Sequence, residues 1–151
     1  NRVRYMAKAM NCKYIFVDHI SIIVSAQESG DERKAIDEIM TKLRMLVQET
    51  DISLFVVSHL KRPEGKGHEE GAATSLAQLR GSGSIAQLSD IVIGGERNGQ
   101  AEDPTVRNTT HLRVLKNRFS GQTGPACRLL YTKATGRMLE YNEPEEEEQT
   151  F

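Results

Sequence analysis

Asp18 closes an apolar run, Tyr14-Ile15-Phe16-Val17, and His59 follows a second mostly apolar run, Ile52 to Val57. Such runs suit strands buried on both faces, and in open α/β sheets ligands bind beyond the carboxyl ends of those strands. A carboxylate there can hold the Mg²⁺ that bridges the β- and γ-phosphates of a nucleotide. A histidine on a neighbouring strand end can touch the γ-phosphate and report its loss to the next loop. It can equally do no more than cap backbone groups.

Three further groups carry positive charge or phosphate-binding backbone. Lys61, Arg62 and Lys66 lie in a loop interrupted by Gly65 and Gly67, where they could reach nucleic-acid phosphates or simply be solvated. Arg80-Gly81-Ser82-Gly83-Ser84 precedes a predicted helix. Glycines allow close backbone approach, and N–H groups at a helix start bind anions, so Arg80, Gly81 and Ser82 are candidates for a DNA phosphate. The same residues also make an ordinary glycine turn. Lys116 and Arg118 stand two apart on a predicted strand and so share a face. A cationic pair aimed outward could stabilise charge on the transferring γ-phosphoryl of a neighbouring subunit's nucleotide, the arginine-finger role.

The elements that must position these residues follow from periodicity. Val3, Met6 and Met10 predict a short helix over 2–10, and residues 14–17 a strand. Residues 19–30 read as a serine-rich loop. Ser29 or Asp31 could cap a helix over 31–49, whose apolar positions Ile36, Ile39, Met40, Leu43, Leu46 and Val47 have helical spacing. With a strand over 52–57 this makes a βαβ unit with a right-handed crossover. A long polar loop over 59–75, a short helix over 82–88 and a strand opening at Asp90 come next. After a polar loop over 97–109, residues 110–118, 126–132 and 137–141 predict a meander.

Composition narrows the classes. The chain has 151 residues, 38% apolar and 27% charged, which suits one domain with a core. No apolar run approaches the roughly 20 residues of a membrane span. Asn1 opens without a start methionine or signal peptide, as in a fragment of something longer. Cys12 and Cys127 form no CxxC pair and read as two reduced thiols. The net charge of −1 includes Glu143 and Glu145 to Glu148, with no base after Tyr141; without them the rest of the chain carries +4. There is no G-x-x-x-x-G-K-[ST] loop, no zinc spacing and no nucleophile elbow around Ser58, so hydrolysis by this chain alone is not expected.

As an ordered set these residues resemble the DnaB-type hexameric replicative helicases, above all the helicase part of phage fused primase-helicases and, more distantly, the Twinkle type. Phe16-Val17-Asp18-His19-Ile20-Ser21 is similar to the Walker B strand, and Val56 to Lys61 to the sensor strand and the start of the DNA loop. Leu79 to Ser84 with Leu88-Ser89-Asp90, then Glu96-Arg97-Asn98, then Leu115 to Gly121, complete the set.

The resemblance implies the C-terminal part of a RecA-like P-loop NTPase domain over 1–141, with a mostly parallel sheet core, a C-terminal β-meander and an acidic disordered tail over 142–151. The phosphate-binding loop and catalytic glutamate would lie upstream. It implies Mg²⁺ at Asp18, ATP or dTTP as substrate, and a γ-phosphate sensor at His59. Lys61, Arg62 and Lys66 would track single-stranded DNA. Arg118 would be the finger, with Lys116 beside it, and Arg97 and Tyr131 would flank the base. The implied parent is a ring of six or seven copies moving 5′ to 3′, in the cytoplasm of a phage-infected bacterial host. Its acidic tail would dock on the replicative DNA polymerase. Another RecA-like ATPase, such as a recombinase or KaiC-like protein, and a non-catalytic module binding DNA or polymerase remain the alternatives.

Overall fold

The computed structural model describes residues 2–25, 31–63, 65–79 and 83–142. The chain divides into two compact units, Asn1–Arg62 with Ser75–Val92, and Pro63–Thr74 with Ile93–Phe151.

The first unit opens with α1 (Arg2–Lys8), two residues shorter than the apolar spacing predicts. Met10 is exposed, and Asn11 turns the chain with a φ of 54°. Strand β1 (Tyr14–Val17) pairs in parallel with β2 (Ser53–Val56), in the register Tyr14↔Ser53 to Val17↔Val56. Parallel neighbours need a crossover, and two helices fill it. The segment read as a loop contains α2 (Ile20–Ser25). Its β-branched run is a poor helix former, yet Ile20 and Val24, four apart, are both buried, so packing overrides propensity.

Helix α3 (Glu32–Thr50) begins at Asp31, whose Oδ1 accepts from the N–H groups of Arg33 and Lys34 at 3.1 and 3.3 Å. Of the two predicted caps, Asp31 takes the role; Ser29 lies outside the described residues. The helix ends at Asp51 in the left-handed region, with its N–H on the Val47 carbonyl. Ala35, Ile36, Ile39 and Met40 form the buried stripe, and they pack with Ile20, Val24 and Ile85 into this unit's core. Each fully buried isoleucine there contributes about 1.5–3 kcal/mol. Ile85 belongs to α4 (Gly83–Leu88), and a 3₁₀ turn, Leu76–Gln78, precedes it. Ile15 of β1 is buried, whereas Tyr14 and Phe16 on the opposite face are exposed. Phe16 and Phe55 stack there, register partners with ring centroids 4.5 Å apart.

In the second unit β3 (Ile91–Arg97), which starts in the first unit's last residues, joins β4 (Thr109–Asn117), β5 (Gly124–Thr132) and β6 (Arg137–Glu140) in one sheet of that order. β4–β5 and β5–β6 are antiparallel, the meander that the turn residues predict. The ladder slips between Leu112 and Arg113, a bulge that re-aims a strand's side chains. The polar segment over 97–109 holds a helix the apolar pattern misses, α5 (Pro104–Asn108). Its signal is local: Asp103 Oδ1 accepts from the Thr105 and Val106 N–H groups, and Pro104 takes the first helical position. The fold class is α/β, and the expected mostly parallel core is met in part. Among the described residues β1 and β2 form a parallel pair, and β3 joins the four-stranded sheet rather than that pair. β3 is longer than the apolar stretch after Asp90 suggests, because Gly94 and Gly95 continue it as strand.

Candidate functional site

In the first unit the parallel register carries Asp18 and His59 to the same end of the β1–β2 pair. The Val57 N–H donates to the Val17 carbonyl at 2.9 Å, and the Ile20 N–H to the Val57 carbonyl at 3.0 Å, which ties the two strand exits together. The rings of His19 and His59 meet edge to face at 4.1 Å, and His19 Nδ1 is buried without a hydrogen-bond partner. His19 is a residue that reading the strand ends missed. Its signal was its place directly after the strand-terminal acid. Asp18 and His59 are exposed.

Among the described residues, no cluster of three or more His, Cys, Asp or Glu could hold a metal. Mg²⁺ commonly takes one or two carboxylates and completes its shell with phosphate oxygens and water. A single exposed acid at a strand end fits that mode and not a cage made of protein alone.

The loop after His59 begins with a bridge, Leu60↔Leu79, and the Lys61 N–H donates to the Gln78 carbonyl at 2.7 Å. Lys61, Arg62 and Lys66 are exposed. Lys61 and Arg62 belong to the first unit and Lys66 to the second. Arg80, Gly81 and Ser82 lie outside the described residues, as does the acidic tail beyond Asn142.

The second unit carries the other candidates. Lys116 is in β4, but Arg118 is not: the strand ends at Asn117 and Arg118 opens the following turn, so the shared strand face is corrected. Asn117 organises that turn. Its Oδ1 accepts from Phe119 and Ser120 N–H groups at 3.0 and 3.2 Å, and its carbonyl from Gly121, whose φ of 73° suits glycine. Arg118 is thereby exposed on an ordered turn. Arg97 ends β3, and its Nε donates to the Arg107 carbonyl of α5 at 2.7 Å. Tyr131 lies on β5 opposite Met138. Arg97 and Tyr131 thus have separate partners, the Arg107 carbonyl and the β6 strand. A groove of about 490 Å³ over one face of β4 and β5, lined by Glu96, Arg113, His111, Cys127, Arg128 and Tyr141 among others, holds none of the predicted site residues.

A buried polar cluster stands next to Arg97. Glu96 and Thr74 are 8% and 5% exposed. The Thr74 N–H and Oγ1 both donate to Glu96 Oε1, at 2.8 and 2.9 Å, and Arg113 Nε donates to the same oxygen at 2.8 Å. Burial pushes the Glu96 carboxyl up, but the Arg113 and Thr74 hydrogen bonds outweigh it and hold the group below its ordinary value. A depressed folded pKa adds stability above the unfolded value of about 4.3, and that stability is lost as pH falls through the folded value. Thermal unfolding should therefore show wild type above Glu96→Gln at neutral pH, with the gap closing below about pH 4. A gap that persists undiminished to pH 3 would contradict this account.

Asp18 and His59 thus stand at the exits of the parallel strands β1 and β2 of an α/β unit, as in the RecA-like arrangement. The profile of the DnaB-like helicase C terminal domain family matches residues 1–140, and the chain belongs to that family. It is 49% identical over 136 residues to a DNA helicase/primase of Enterobacteria phage T3, covering 89% of this chain and 24% of that protein. It is 35% identical over 79 residues to the replicative DNA helicase DnaB of Treponema pallidum (strain Nichols), 52% of this chain and 17% of the relative. It is 25% identical over 138 residues to a probable plasmid replicative DNA helicase of Chlamydia psittaci, 91% of this chain and 29% of the relative. The chain thus spans under a third of the length of these relatives. No helix among the described residues is long and apolar enough to cross a membrane.

Proposed function

We propose that this chain is the C-terminal part of the RecA-like motor of a replicative DNA helicase, of the phage primase-helicase kind. In this reading the motor hydrolyses ATP or dTTP and moves 5′ to 3′ on single-stranded DNA as a ring of six or seven copies. The observation that carries it is the in-register β1–β2 pair, which brings Asp18 and His59 to one strand end, with the His19 and His59 rings in contact and the basic loop following at once. The likeness to the phage helicase/primase over most of the chain supports it.

Bound Mg²⁺ would neutralise charge on the β- and γ-phosphates. Asp18 would hold it, and His59, braced by the His19 ring, would contact the γ-phosphate. When that contact is lost, the loop from Lys61 to Lys66 would change its grip on DNA, a coupling between two sites. Arg118, with Lys116 behind it, would reach the nucleotide of the adjacent subunit. Arg97, steadied by the Arg107 carbonyl, and Tyr131 would flank the base. Arg80, Gly81 and Ser82 would add a phosphate contact at the start of α4. The parallel pair would extend into a larger parallel sheet with upstream strands, and residues 1–141 would act as the motor part. The acidic tail over 142–151 would dock on a basic patch of the polymerase, in the host cytoplasm.

The test is nucleotide hydrolysis and forked-duplex unwinding by the full-length protein. Hydrolysis that single-stranded DNA stimulates, together with unwinding, is the expected result. Stimulated hydrolysis without unwinding would point to another RecA-like ATPase. DNA binding with no hydrolysis would point to a non-catalytic module.

A further inference from the structure

The returning limb of the loop, Pro63–Thr74, belongs to the same compact unit as β4, the strand that leads to Lys116 and Arg118. Its attachments are specific. The Gly99 N–H donates to the Glu69 carbonyl at 2.9 Å, and Glu70 bridges Asn98. Thr74 gives two hydrogen bonds to one Glu96 oxygen, and Arg113 of β4 gives a third. Gly94 makes the approach possible, because a Cβ at that position would collide with Thr74 Oγ1. Three donors converge on a single buried oxygen. Thr74 therefore cannot shift without losing a bond or moving Glu96 and Arg113 with it. Arg113 sits where the β4–β5 register slips, opposite the extra residue Ala126 of β5, three residues before Lys116 and five before Arg118.

We infer that Thr74, Glu96 and Arg113 form the link through which DNA held by the loop sets the position of the β4 turn, and with it the finger. This rests on the functional reading above. The three are positioning residues: they touch neither nucleotide nor DNA, and they act through Lys116 and Arg118. Occupancy of the loop by DNA biases one placement of its returning limb. The shared carboxylate passes that bias to β4, so that DNA raises turnover in a neighbouring site. The buried charge makes the link stiff, since a carboxylate taken from water holds tightly to the donors that replace it.

The test compares wild type, Thr74→Val, Thr74→Ser and Glu96→Gln in the full-length protein. Hydrolysis is read with and without an oligothymidylate, together with the affinity for that oligonucleotide and the unfolding temperature. Thr74→Val keeps the volume and removes one donor. It should leave DNA-independent turnover and DNA affinity within about 2-fold, and lower DNA stimulation by about 5-fold or more, the lower end of typical coupling between sites. Thr74→Ser, which keeps the hydroxyl, should restore stimulation. Glu96→Gln should resemble Thr74→Val with a larger loss; if it fails to fold, the Thr74 pair decides. Stimulation unchanged in Thr74→Val overturns the inference, as does a proportional fall of basal and stimulated turnover. A wild type whose hydrolysis ignores DNA overturns the functional reading and this inference with it. A stimulated wild type with insensitive variants overturns the inference alone.

Discussion

Arg118→Ala is expected to lower DNA-stimulated hydrolysis by roughly 10³-fold, the low end of the effect of an arginine finger. Stability should stay within about 0.5 kcal/mol, as for other exposed substitutions. The separation of the two effects follows from the turn. Asn117 supplies its acceptors, to Phe119, Ser120 and Gly121, while the Arg118 side chain extends from it, exposed. A finger acting across an interface carries a second signature. Rings mixed from Arg118→Ala and Asp18→Ala subunits should recover activity absent from either variant alone, because some interfaces then pair an intact acid with an intact finger. Unchanged turnover in Arg118→Ala, or no recovery on mixing, would remove the finger assignment.

Neutralising Lys61 and Lys66 together, as glutamines, should weaken single-stranded DNA binding and flatten its salt dependence. Each lost phosphate contact lowers the slope of log affinity against log salt by about 0.7 on single strands, so the pair should lower it by about 1.4. Anisotropy of a labelled oligonucleotide at several salt concentrations measures this directly. A weaker affinity with an unaltered slope would mean that the lysines shape the loop rather than meet phosphates. Arg62, exposed between them, provides a third charge for the same test.

What was legible in the sequence was what local pattern encodes. The runs at 14–17 and 52–57, the α3 stripe, the Asp31 cap and the turns of the meander were readable because buried strands, amphipathic helices and turn residues leave period or composition behind. Helix α2 was not, because Ile20 to Val24 favours strand by propensity and its helical form depends on packing against α3. Helix α5 was missed for the opposite reason. It buries almost nothing and shows only in the Asp103-Pro104 start. Strand ends and charge spacing singled out Asp18, His59 and Arg118, and family likeness gave them roles, whereas the Thr74–Glu96–Arg113 cluster joins residues up to 39 positions apart and has no local signature. The ring contact between His19 and His59 has the same origin, since only the parallel register brings the two together.

The division of the chain has a genetic corollary. The first unit is made of Asn1–Arg62 and Ser75–Val92, and the second of Pro63–Thr74 and Ile93–Phe151. The polypeptide crosses between them three times, so no single cut yields both halves whole. Ending the gene after Val92 would leave Pro63–Thr74 translated but stripped of Glu96, Asn98 and Gly99, the residues to which it is fastened. Insertions, fusions and exchanges between relatives should therefore survive only when they carry both units together. The loop after His59 and the basic turn at Arg118 would then be inherited as one piece.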